Sequence, residues 1–87
     1  MKTNEQKVPK WFQGVIYDQG EEVTNSFTGL CYTLNALELS IYDYIMGSNY
    51  IFEVAPKTVT KKQVAEFQKA LTWFRKNNTE AYMVLLD

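Results

Sequence analysis

Apolar residues recur at helical spacing through Leu34 to Gly47, LNALELSIYDYIMG, where Leu34, Leu37, Ile41, Tyr44 and Ile45 share one side of a helix. The stripe carries on through Ser48 and Phe52, so the spacing predicts one helix from Leu34 to about Phe52. Thr33 is the expected N-cap, its hydroxyl accepting a backbone N–H left over in the first turn. Gly47 then lies inside the helix, at a cost of about 1 kcal/mol relative to alanine. Pro56 ends the pattern and pushes Ala55 toward an extended conformation.

A second helix is predicted over 60–76. Thr60-Lys61-Lys62-Gln63 is a capping box, and Val64, Phe67, Leu71 and Phe74 form the core stripe, with Ala70 beside them for a close helix contact. Asn77-Asn78 stops it. Between Gly20 and Thr33 the period changes to two, interrupted by the turn residues Asn25 to Gly29, which predicts a hairpin with Gly29 at positive φ. Val23, Leu30 and Tyr32 are the expected contacts with the helices, and Cys31 alternates to the other face as a small structural hydrophobe. The run Ala81 to Leu86 fits a short helix or a buried strand; Asn78 as N-cap and Glu80 in the first turn favour the helix. Met1 to Lys10 reads as a frayed arm and Gly14 to Tyr17 as a short extended piece. The class expected is α+β, mostly α: an N-terminal hairpin packed on two main helices, about 34–52 and 60–76, plus a short C-terminal helix, all in one domain over 11–87.

Residues off the stripes are the more informative ones. Trp73 projects with Lys62, Lys69 and Lys76 on the polar side of the second helix. Either the C-terminal run folds back across the indole, or Trp73 is an anchor for another macromolecule. On the first helix Leu39, Met46 and Tyr50 lie around Asp43, opposite the core stripe. Trp11, Phe12 or the hairpin covers them, or they form a docking or dimer surface.

Composition narrows the class. With 46% hydrophobic and 15% aromatic residues the chain is built to fold, although 87 residues bury only about 60–65% of the unfolded surface. One cysteine excludes an intrachain disulfide, and no apolar run approaches the length of about 20 residues that spans a bilayer. Met1 to Lys10 is too polar for a signal peptide, so a cytosolic protein is expected. Net charge is −1 but unevenly placed: −6 over 11–56, which holds no lysine or arginine, and +5 over 57–76. Either the acidic and basic elements pack side by side, or two opposed electrostatic faces exist, at least one of them meeting a partner.

Candidate chemistry is sparse. There is no histidine, the four glycines are isolated, and Glu21-Glu22 is the one carboxylate pair, in a presumed exposed hairpin. Metal sites, His-paired nucleophiles and phosphate loops are therefore not expected, no cofactor is implied, and an enzyme is not the reading favoured. Two binding functions remain. One is a protein-interaction module using the acidic half or the aromatic-bearing helix faces, with a homodimer as one form of it. The other is weak single-strand nucleic-acid binding through Lys62, Lys69, Trp73 and Lys76, which a pI of about 5.4 makes the weaker of the two.

The strings Thr24-Asn25-Ser26-Phe27-Thr28-Gly29, Ile41-Tyr42-Asp43-Tyr44-Ile45-Met46-Gly47, Trp73-Phe74-Arg75-Lys76-Asn77-Asn78 and Ala81-Tyr82-Met83-Val84-Leu85-Leu86-Asp87 together resemble a group of small uncharacterised proteins of tailed bacteriophages, marine phages in particular. This chain has Ser26 and Thr79 where that group carries proline after asparagine. The resemblance implies a phage product acting in the host bacterial cytoplasm, where an interaction module would dock onto a host or phage protein, and it brings no activity or site residues.

Overall fold

Alternation and turn chemistry produce the hairpin, β1 (Glu21–Thr24) and β2 (Cys31–Leu34), paired antiparallel with Glu21 opposite Leu34 and Val23 opposite Tyr32. The computed structural model describes residues 7–12 and 16–86; residues 1–6 of the expected arm and 14–15 of the expected extended piece lie outside them. Gly29 takes φ 78° in the loop, and its N–H donates to the Asn25 carbonyl at 2.8 Å. Val23, Tyr32 and Leu34 face the helices, Leu34 fully buried. Leu30 has the same parity but lies beyond the paired strand, and it is 56% exposed, contrary to expectation. Cys31 is exposed rather than buried; its sulfur sits 3.3 Å from Thr24 Oγ1.

The hairpin is followed by α1 (Ala36–Val54), a 3₁₀ turn (Pro56–Thr58), α2 (Lys61–Asn77) and α3 (Thr79–Leu85). The fold is thus α+β and mostly helical. The first helix begins two residues later than expected, because Thr33 and Leu34 belong to β2 and Asn35 is the cap. Asn35 Oδ1 accepts the Glu38 N–H at 2.8 Å while Glu38 Oε1 accepts the Asn35 N–H at 3.0 Å, so a capping box of higher N-cap preference replaces the single Thr33 hydroxyl. The helix runs two residues past Phe52 and ends at Ala55, whose φ of −141° before Pro56 is outside the helical region. α2 starts at the expected capping box, with Thr60 Oγ1 accepting the Gln63 N–H at 3.1 Å and Gln63 Oε1 the Thr60 N–H at 2.8 Å. α3 is capped by Asn78, whose Oδ1 accepts the Ala81 N–H at 3.1 Å.

The core is where these elements meet: Phe12, Leu34, Ile41, Ile45, Ala70, Phe74, Ala81 and Leu85. Ala70 and Ala81 let α2 approach its neighbours closely, and Phe74, with no exposed surface, fills the centre. Val64, expected in the stripe, is 43% exposed. Gly47 is helical and exposed, and an added Cβ would meet no heavy atom within 4 Å. Gly47→Ala is therefore expected to raise stability by about 0.5–1 kcal/mol, read as a higher urea midpoint at unchanged slope. A midpoint that falls would show that α1 does not run regularly through this position.

Candidate interaction surface

The side of α1 turned away from the core is open along its C-terminal half. Met46, Tyr50 and Val54, spaced four apart on one face, are 43%, 64% and 58% exposed, and Ile51 beside them is 41% exposed. Asp43 is exposed one turn before Met46, and Leu39, one turn earlier again, is half-buried and packed on the core. Of the four residues singled out on this face, Leu39 is thus partly covered while Asp43, Met46 and Tyr50 are not. Trp11 and Phe12 do not cover them. Both rings pack on Tyr44 instead, with centroids 6.2 Å and 5.6 Å away, on another side of the helix.

At the N-terminal half the chain before the hairpin crosses α1. The Tyr17 N–H donates to Ser40 Oγ at 2.8 Å and its hydroxyl to Asp43 Oδ2 at 2.6 Å. Tyr17, Asp18, Glu21, Leu39 and Asp43 enclose an open pocket of about 530 Å³. The Asp43 hydrogen bond holds the Tyr17 phenol above its ordinary value, and burial does the same for Tyr44 and Tyr42. Tyr32 is raised by its hydrogen bond to Glu80, at 3.0 Å. Raised phenols stay protonated at neutral pH, so these groups serve as donors and apolar surface. A cavity of about 390 Å³ opens between α1 and α2, lined by Tyr44, Gly47, Ile51, Phe52, Gln63 and Glu66. It adjoins the exposed face through Gly47 and Ile51, and its Phe52 ring packs edge-to-face on Phe67 at 5.0 Å.

The α2 strip is a different surface. Lys62, Lys69 and Lys76 are all exposed, about 10 Å apart along the axis. Trp73 is half-buried and packs on the core cluster, its ring edge-to-face with Phe74 at 6.4 Å. The remaining indole surface borders a shallow depression of about 380 Å³ shared with Trp11, Gln68, Lys69 and Thr72. The structure therefore brings Trp73 together with Lys69, and adds Trp11, which the spacing of α2 could not reveal.

Exposed apolar residues that the helical and strand periodicities did not single out include Ile51, Val54 and Phe27. Ile51 lies beside the Met46–Tyr50 face, and Val54 continues it beyond the expected helix end. Phe27, at the hairpin tip, is 97% exposed in a turn held by Asn25, whose Oδ1 accepts the Phe27 N–H at 2.8 Å and whose amide donates to the Val84 carbonyl at 3.0 Å. The available signal was an aromatic in the middle of a turn sequence. Among the described residues no three Asp, Glu or Cys side chains converge as a metal site, and no helix is long and apolar enough to cross a membrane. Comparison with protein-family models, with curated proteins and with solved structures finds no match to this chain.

Proposed function

We propose that the chain is a small, non-enzymatic, phage-type protein of the host bacterial cytoplasm that works as a protein–protein interaction module, binding through the outer face of α1. The observation that carries this reading is the exposed run Met46, Tyr50 and Val54. Full burial of an exposed apolar side chain is worth about 1.5–3 kcal/mol, of which covering the exposed part of each of these residues contributes a share before the costs of association, and a tyrosine near the centre of the patch is a favoured anchor type. The phage setting rests on the sequence resemblance. Single-strand binding by Lys62, Lys69, Trp73 and Lys76 is the second reading, supported by the depression that places two tryptophans beside Lys69.

Affinity capture from bacterial lysate with three forms of the chain separates them. A protein retained by wild type and by Trp73→Ala, but lost with Tyr50→Glu, is the expected result. If wild type and Tyr50→Glu recover the same proteins, the α1 face is not the contact. Single-stranded DNA bound at low salt, and released by Trp73→Ala, would move the function to α2.

A further inference from the structure

The exposed face of α1 is apolar along its C-terminal half without being neutral. From Met46 through Tyr50 to Val54 the open stripe covers about 12 Å at 1.5 Å per residue, and the half-buried Leu39 extends the same face to about 22 Å. Asp43 stands inside it, and Glu53 lies close to it in the last turns, both exposed. At the N-terminal end Asp18 and Glu21, also exposed, share one open pocket with Leu39 and Asp43. From residue 11 to residue 56 there is no lysine or arginine, so the hairpin and α1 contain no cation of their own to answer these carboxylates.

A straight helical face of this length is matched by another helix. Ridges set into grooves place the two axes about 8–10 Å apart, which lets flanking long side chains of the incoming helix reach the rim carboxylates. Building on the reading that this face is the contact, we infer that its occupant is a cationic amphipathic helix of another protein. Its apolar residues lie over Met46, Tyr50 and Val54, and its lysines or arginines lie over the end formed by Asp18, Glu21 and Asp43. The same charges argue against the alternatives. A second copy of the chain packed face to face brings Asp43 and Glu53 together with their own equivalents, and like charges across an interface are penalised. Anionic lipid and nucleic acid meet the same repulsion.

The test uses the full chain and two labelled synthetic peptides of about 18 residues, long enough to span the stripe. One has an apolar leucine face and lysines elsewhere; the other carries glutamates at the lysine positions. Anisotropy titrations are expected to show the Leu/Lys peptide binding at least about tenfold tighter than the Leu/Glu peptide at low salt, with the gap narrowing as salt screens exposed charge. Asp43→Lys is expected to weaken Leu/Lys binding about tenfold, and Glu22→Lys, on the opposite face of the hairpin, by less than about threefold. Equal binding of the two peptides overturns the inference. So do equal effects of the two charge reversals, which would indicate bulk charge only. A dimer mass in sedimentation that Tyr50→Glu converts to monomer also overturns it, in favour of a second copy. If lysate capture needs Tyr50 while Asp43→Lys leaves peptide binding unchanged, the cationic-helix inference fails and the α1 contact stands. If Tyr50→Glu changes neither, both fail.

Discussion

Gly20→Ala is expected to destabilise the domain by about 3 kcal/mol or more, lowering Tm by about 12–24 °C in a chain of this size. A methyl group built on Gly20 overlaps the Leu34 carbonyl oxygen and falls 2.7 Å from Asn35 Cα and 2.8 Å from the Asn35 carbonyl carbon. These are backbone atoms, which cannot swing aside as a flexible side chain does. Leu34 is fully buried, and Asn35 is the N-cap of α1. Any retreat therefore disturbs the core or the cap, at the point where β2 turns into the main helix. Gly29→Ala is the informative control. Gly29 has φ 78° and nothing within 4 Å of an added Cβ, so its substitution carries only the left-handed backbone cost of about 1–2 kcal/mol. Urea denaturation of the two variants separates steric from conformational effects. Equal losses would show that the chain before β1 does not lie against Leu34 and Asn35.

The same junction explains which parts of the fold could be read ahead of the structure. Leu34 satisfies two patterns at once: it is three residues before Leu37 in a helical stripe and two after Tyr32 in a strand. Both place it in the core, so its burial was readable while its element was not. The decisive signal was local. Asn35 with Glu38 three residues on is a complete capping box, and it defines the start of α1 more strongly than Thr33 alone. On α2 the corresponding box, Thr60 with Gln63, had no competitor, and that boundary agrees with expectation. In the hairpin, alternation gave the correct faces but not the end of the pairing, which leaves Leu30 exposed beyond the strand; Cys31, paired with Thr24, is exposed because it lies on the face turned away from the helices. For the candidate surface, periodicity put Leu39, Asp43, Met46 and Tyr50 on one face; whether that face is covered depends on the path of residues far away in sequence. The rings of Trp11 and Phe12 had two sides of α1 open to them, and they pack on Tyr44, leaving Met46 and Tyr50 in solvent.

Glu38→Ala is expected to cost about 2–4 kcal/mol, because a single carboxylate serves three helix ends. Its Oε1 accepts the N–H of Asn35 at 3.0 Å, and its Oε2 accepts from the Asn78 amide at 2.9 Å. Asn78 in turn closes α2, its N–H donating to the Phe74 carbonyl at 2.9 Å, and caps α3 through the Ala81 N–H. Glu38 is 5% exposed, so truncation removes both acceptor oxygens from a buried position, and losing a buried hydrogen bond costs more than making one contributes. Glu38→Gln should fall between alanine and wild type, since one carbonyl oxygen replaces two carboxylate oxygens: it completes the capping box or receives the Asn78 amide. A double-mutant cycle of Glu38→Ala with Asn78→Ala, measured by urea denaturation, is expected to show a coupling of about 1 kcal/mol or more. Strict additivity would mean that the two caps act independently, and that the start of α1 and the α2–α3 turn are joined only by the apolar core around Phe74.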